Sequence, residues 1–189
     1  MTHCSTGGIN YVGNKAPDDF INPDPFYRIP GKSYSFPQGN KNIGLYCDQF
    51  NDPNNFTEAL EVFPKLKICF AHFGLDAANM IGPSQTNTTV PLFQWTDKVL
   101  DLMDKYDEVY TDISYSVAYN GFCEWFLIRY QALKVSIQDR IMFGTDYFMT
   151  VQEEFGNDNQ IIENVKKKIF PPIFEKIAYT NVINYLKIK

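Results

Sequence analysis

The order of apolar and polar residues along the chain predicts short buried strands that alternate with helices. Apolar runs without strict alternation, which are typical of strands covered on both faces, lie near residues 1–4, 66–71, 108–113 and 140–144. Apolar residues at helical spacing predict helices near residues 52–63, 91–106, 121–135, 159–169 and 171–186, with shorter pieces near 17–21 and 151–155. Alternating strands and helices pair in parallel, so the pattern predicts an α/β fold.

The connections between these elements differ in length at the two ends of the strands. Each connection from a helix to the next strand is only a few residues long, whereas the long irregular segments 9–51 and 75–90 both follow strands. This asymmetry is typical of a (β/α)8 barrel enzyme, in which the loops at the carboxyl ends of the strands build the active site. We therefore expect any chemistry to lie at that rim.

Composition limits the class of protein and its partners. A chain of 189 residues with 44% hydrophobic residues is expected to form a single soluble domain over residues 1–189. A net charge of -5 with scattered basic residues argues against a nucleic-acid partner, and no apolar segment approaches the length of a membrane span. The four cysteines form no C-x-x-C pair and Cys69 lies in an apolar run, so we expect buried free thiols and a cytoplasmic location.

The candidate chemistry rests on three residues at matching positions. The chain has two histidines, His3 and His72, which both stand at the end of a predicted strand, and Asp146 stands just past the last strand. Two imidazoles and a carboxylate suit a zinc-like divalent ion and general acid–base catalysis. A histidine is more often a hydrogen-bonded structural residue, and an aspartate often caps the next turn. The matching positions of all three favour a functional site.

Other residues near this rim are less informative. Asp112 is equally compatible with a pocket residue and with a strand-end carboxylate that bonds to the backbone. Cys4 should point away from His3 because side chains alternate along a strand, so no Cys–His nucleophile pair is expected. The chain has neither a glycine-rich phosphate-binding motif nor a G-x-S-x-G elbow, which argues against nucleotide binding and serine hydrolase chemistry.

These segments resemble the amidohydrolase-related family of the metal-dependent hydrolase superfamily. Residues 139–147, Asp-Arg-Ile-Met-Phe-Gly-Thr-Asp-Tyr, give the most specific match and are similar to the eighth strand of the family. Residues 1–8, 63–74 and 106–114 resemble its fifth, sixth and seventh strands, while residues 181–186 are similar to its terminal helix. The resemblance implies parallel (β/α) units that form strands 5–8 of a (β/α)8 TIM-type barrel, without strands 1–4.

The resemblance also implies roles for the three candidate residues. His3 would be a metal ligand, and His72 would be either a further ligand or the catalytic histidine. Asp146 would ligate the metal and, in hydrolytic members, take a proton from water. These roles imply metal-dependent hydrolysis of a small-molecule amide, ester or lactone with zinc, iron or manganese, and the alternative is a non-oxidative decarboxylase of the same family.

One departure from the family pattern opens a further alternative. The His-x-His pair of the family's first strand is absent from this chain, so metal is expected to bind weakly or to be absent. A half barrel would leave two sheet edges and its inner face uncovered. We therefore expect a fragment, a part completed by an amino-terminal half, or a homo-oligomer. A non-catalytic half-barrel scaffold or binding protein is the alternative from another functional class.

Overall fold

Three short parallel strands form the centre of the part of the fold that the structure describes. The computed structural model describes residues 1–2, 4, 51–75, 94–118, 121–146 and 157–187. The strands are β1 (Ile68–Phe70), β2 (Val109–Asp112) and β3 (Ile141–Met142), which lie side by side in chain order. Thr2 adds a parallel bridge at the outer edge of β1, since its N–H donates to the Cys69 carbonyl at 2.8 Å. The predicted α/β pattern of parallel strands is confirmed.

Most helices of the described residues overlap the predicted ones, but the short helix at Val135–Gln138 was not predicted. They are α1 (Thr57–Val62), α2 (Gln94–Lys105), α3 (Phe122–Gln131), α4 (Val135–Gln138), α5 (Asp158–Lys168), α6 (Pro171–Glu175) and α7 (Asn181–Leu186). The helix predicted near 171–186 is interrupted by a π-helical turn, Lys176–Thr180. The helical pieces predicted near 17–21 and 151–155 lie outside the described residues. No helix in the described ranges is long and apolar enough to cross a membrane.

Local sequence signals account for where two of the helices begin. The Asp52 carboxylate accepts a hydrogen bond from the Asn54 N–H at 2.9 Å, and Pro53 opens the 3-10 turn that leads into α1. At α5, Asn157 and Gln160 each accept a hydrogen bond from the backbone N–H of the other, which is a capping box. These caps satisfy N–H groups that have no partner inside the helix.

The two faces of the sheet pack against different helices. Ile68, Phe70 and Val109 belong to the main core, which also contains buried residues of α2, α3 and α5. On the other face, Cys69, Tyr110 and Met142 form a smaller buried cluster against Val182 and Tyr185 of α7. Both faces of the sheet are therefore covered at these positions, and the expectation of an uncovered face is wrong for these three residues.

The outer edge of β3 is also bonded by the carboxyl-terminal segment. The carbonyl of Ile141 points away from β2 and accepts a hydrogen bond from the Asn181 amide at 2.6 Å. The Phe143 N–H donates to the Ile177 carbonyl of the π-helical turn at 2.9 Å. Asn181 is only 1% exposed. The expectation of an open sheet edge is wrong at β3, since these two contacts replace those of a further strand.

A buried arginine ties the sheet to its helices at the opposite end from the candidate site. The Arg140 guanidinium donates to the carbonyl oxygens of Met103, Tyr106 and Val109 at 2.7–3.1 Å, and its Nε donates to the Ser136 carbonyl at 2.8 Å. Burial lowers the pKa of Arg140, against the effect of nearby carboxylates. These bonds fix α2, β2 and α4 against β3 at the amino ends of the strands.

Candidate active site

The turns that follow the three strands share an uncommon backbone conformation. His72 after β1, Tyr115 after β2 and Asp146 after β3 have φ values of 66°, 59° and 56°. Left-handed backbone costs a residue other than glycine about 1–2 kcal/mol, and such strain is concentrated at functional sites. Because the strands are parallel, all three turns lie together at the carboxyl ends of the strands. These carboxyl ends form the rim at which the sequence predicts the chemistry.

The turn that carries His72 is held by its contacts with α2. His72, Phe73 and Gly74 all have positive φ values. The Thr96 hydroxyl donates to the Phe73 carbonyl at 2.9 Å. A Cβ atom at Gly74 would lie 2.7 Å from the backbone carbonyl of Trp95. Only glycine therefore fits where this turn packs against the backbone of α2. The position of His72, which is 6% exposed, is thus fixed by packing.

The His72 ring contacts the turn after β2. Its Nδ1 atom lies 3.1 Å from the Ser114 carbonyl oxygen and 3.2 Å from the Ser114 hydroxyl. The Tyr115 ring meets the imidazole edge to face, with 5.6 Å between the ring centroids. The two turns therefore orient the imidazole together.

Asp112 organises these turns from a buried position. Its Oδ1 accepts hydrogen bonds from the N–H groups of His72 at 3.2 Å and Ser114 at 2.9 Å, and also from the Ser114 hydroxyl. Its Oδ2 lies 3.8 Å from the Cys69 thiol, which donates to it. The carboxylate therefore bonds to the backbone, as one of the two sequence interpretations expected, and both of its oxygens are engaged. Because the Ser114 hydroxyl donates to Asp112, it is not arranged to be deprotonated by His72.

Asp146 differs from Asp112 in its surroundings. It is partly exposed, and its carboxylate makes no hydrogen bond or ion pair with the residues that the structure describes. Two residues earlier, Gly144 packs so closely on Ser114 that an added Cβ would lie 3.1 Å from the Ser114 Cβ. Ser114 thus contacts His72 on one side and the turn that leads to Asp146 on the other. No N–H group in the described ranges is capped by Asp146.

The described cysteines are not nucleophiles of this site. Cys4, Cys69 and Cys123 are buried free thiols, as the sequence predicts, whereas Cys47 lies outside the described residues. Burial is the main cause that raises the pKa of Cys69, and the negative charge of Asp112 raises it further. Burial likewise raises the pKa of Cys4, with Asp52 adding to the effect. These thiols stay protonated, so neither supplies a reactive thiolate.

Comparison with protein families identifies the chain. A family model for amidohydrolases matches residues 49–181, which is more than half of the sequence. The chain belongs to the amidohydrolase family. This confirms the resemblance seen in the sequence motifs, and the match contains both His72 and Asp146. A search among curated proteins finds no match.

Because the chain belongs to the amidohydrolase family, a divalent metal ion is the cofactor that the residues at this rim would be expected to bind. Members of the family typically bind such ions, which supports an enzyme with hydrolase-like activity. In the described part of the chain, no three His, Cys, Asp or Glu side chains are grouped to hold a metal ion. The predicted ligand set was His3, His72 and Asp146, and His3 lies outside the described residues. The set of three therefore stays a prediction, for which His72 and Asp146 offer donors of the right chemistry.

Sequence reasoning missed Ser114 and Tyr115 in this amidohydrolase. Both contact the His72 ring, but neither belongs to a recognised catalytic pattern. The signal that points to Ser114 is the Asp-x-Ser spacing, because an aspartate commonly accepts a hydrogen bond from the backbone N–H two residues later. Asp112 makes this bond to Ser114. No comparable signal marks Tyr115.

Proposed function

We propose that this chain is a metal-dependent hydrolase of the amidohydrolase type, which acts on a small-molecule amide, ester or lactone. The observation that carries the proposal is the placement of His72 and Asp146 in strained turns at one rim of a parallel sheet. The match of the amidohydrolase family over the segment that contains both residues supports it. A non-catalytic scaffold would have no need to place these two residues at the carboxyl ends of the strands.

The order of the strands supports a barrel arrangement as part of the proposal. Thr2, β1, β2 and β3 lie in chain order across the sheet. Sequential order of parallel strands is what a (β/α)8 barrel has, whereas a doubly wound sheet reverses its order at the ligand-binding crevice. We therefore propose that the strands correspond to strands 5–8 of a barrel within a single domain, and that the substrate binds at their carboxyl ends.

Each candidate residue has a proposed role that follows from its environment. The imidazole of His72 and the carboxylate of Asp146 are donors that suit zinc, with iron or manganese as alternatives, and His3 is the proposed third ligand. A bound divalent ion would supply Lewis acidity, which lowers the pKa of water. Asp146 would accept a proton from the attacking water, because no donor among the described residues engages its carboxylate. His72 would ligate the metal, or would accept a proton and then pass it to the leaving group.

A non-catalytic scaffold is the second candidate, and one observation favours it. In the described ranges, no three His, Cys, Asp or Glu side chains are grouped to hold a metal ion. Such a scaffold would hold no metal and convert no substrate. The decarboxylase alternative uses the same residues, so it is separated from the hydrolase only by its product.

The test is product analysis on the zinc-loaded protein with panels of amides, esters, lactones and carboxylic acids. We expect hydrolysis, measured as acid release, and we expect His72→Ala and Asp146→Ala each to lower the rate by about 100-fold or more. Asp139→Ala is the matched control, because Asp139 is exposed at the amino end of β3 and pairs with Lys176. Release of carbon dioxide instead of acid would indicate the decarboxylase. Absence of any product would favour the scaffold.

A further inference from the structure

The contacts of the His72 ring define where its proton lies. The ring nitrogen Nδ1 contacts Ser114 twice, since the Ser114 carbonyl oxygen lies at 3.1 Å and the Ser114 hydroxyl lies at 3.2 Å. A carbonyl oxygen accepts hydrogen bonds and never donates them, so Nδ1 must carry a hydrogen to bond with it. In a neutral imidazole, the other nitrogen then holds the lone pair.

The Ser114 hydroxyl is itself oriented by Asp112. Its hydrogen is directed at the Asp112 carboxylate, which leaves an oxygen lone pair to face Nδ1 of His72. The same carboxylate oxygen accepts the backbone N–H groups of Ser114 and His72. The carboxylate therefore fixes both the serine and the backbone that carries the imidazole. Asp112 and Ser114 are only 3% and 7% exposed, so water does not compete strongly for these bonds.

We propose that Asp112 and Ser114 are positioning residues that hold His72 as its Nδ1–H tautomer, with the lone pair on Nε2. The use of this lone pair rests on the proposed function, because ligation of a divalent metal and acceptance of a proton both require an unprotonated ring nitrogen. The tautomer itself is independent of that function. It follows from the contacts of Ser114, which would hold the ring in this state before any metal or substrate binds.

The test is nuclear magnetic resonance of the intact chain labelled with nitrogen-15 in its histidines, recorded without metal at alkaline pH. The chain has only two histidines, so a His3→Gln variant assigns both sets of signals. We expect a protonated signal for Nδ1 of His72 and an unprotonated signal for Nε2. Ser114→Ala should raise the proportion of the Nε2–H tautomer about fivefold, which corresponds to the loss of one ordinary hydrogen bond.

Ser116→Ala is the matched control for a general structural effect. Ser116 is fully buried beside the same turn, but its hydroxyl donates to the His72 backbone carbonyl at 3.4 Å rather than to the ring. This variant should leave the tautomer ratio unchanged. An Nε2–H tautomer in the wild-type chain would overturn the proposal without any variant. An equal response of the ratio to Ser114→Ala and Ser116→Ala would overturn it as well.

Addition of zinc to the same samples separates this inference from the proposed function. If the wild-type chain shows the Nδ1–H tautomer but zinc leaves the His72 signals unchanged, the positioning role stands and the metal-dependent function fails. If zinc shifts the His72 signals of a chain that shows the Nε2–H tautomer, the site stands and the positioning role fails. A zinc-dependent shift of Nε2 in a chain with the Nδ1–H tautomer would support both.

Discussion

Replacement of Arg140 by methionine should destabilise the fold by about 2–4 kcal/mol. The guanidinium donates to four backbone carbonyl groups on α2, β2, α4 and their connections, and each such bond contributes about 1 kcal/mol net. The gain is partly offset because burial of the charge is unfavourable, which is also why the pKa of Arg140 is lowered. Methionine fills similar space and removes the buried charge, but it leaves all four carbonyl groups without this donor.

The assay is urea unfolding of the wild-type chain and two arginine variants. Arg129→Met is the matched control, because Arg129 is an exposed arginine that pairs with Asp97 on the surface. An exposed pair contributes less than about 1 kcal/mol, so this variant should unfold at nearly the wild-type midpoint. Equal destabilisation by Arg140→Met and Arg129→Met would refute the reasoning that the buried donor network holds the amino ends of the strands.

Three further predictions use stability as the readout. Gly74→Ala should destabilise by about 3 kcal/mol or more, since its Cβ would overlap the α2 backbone. Gly121→Ala, with φ of 84° but open space, should cost only about 1 kcal/mol in the same urea titration. Asn181→Ala should lower the free energy of unfolding by about 2–3 kcal/mol, because one buried and one partly buried carbonyl group lose their donor, whereas exposed Asn184→Ala should barely change the thermal midpoint. Burial raises the pKa of Cys123 from 9.0 to about 11. The unfolded chain therefore releases this proton at lower pH than the folded chain, and stability should fall between those two pH values by up to about 1.4 kcal/mol per pH unit. Cys123→Ala should remove that part of the slope in urea midpoints measured across this range, and an unchanged slope would contradict the assignment.

The positions of strands and helices could be predicted because they depend on local sequence. The unbroken apolar residues around Ile68–Phe70 and Ile141–Met142 indicate strands buried on both faces, and both segments are buried as expected. The packing of α7 on the face formed by Cys69, Tyr110 and Met142 could not be predicted, because it joins segments far apart in the chain. The hydrogen bond from Asn181 to the Ile141 carbonyl joins residues 40 positions apart in the sequence, and no local sequence pattern predicts it. This long-range contact is why the expectation of an open edge at β3 was wrong.

The candidate site was predictable to a smaller extent. Strand ends in a parallel sheet identify the rim, and His72 and Asp146 both lie in its turns. The left-handed backbone of His72 depends on its bond to Asp112 and on the packing of Gly74 against α2. Sequence patterns do not reveal such contacts between distant turns. The ligand role of His3 stays a prediction, because this residue lies outside the described ranges.

The most direct test of the central claim is calorimetric titration of the metal-free chain with zinc. We expect one zinc ion to bind per chain, with affinity at least 10-fold weaker in His72→Ala and in Asp146→Ala. Asp139→Ala, which alters an exposed carboxylate at the opposite end of β3, should bind zinc as the wild-type chain does. Failure of the wild-type chain to bind zinc, iron or manganese would rule out a metal site formed by His72 and Asp146, and so would binding that neither substitution at the rim weakens.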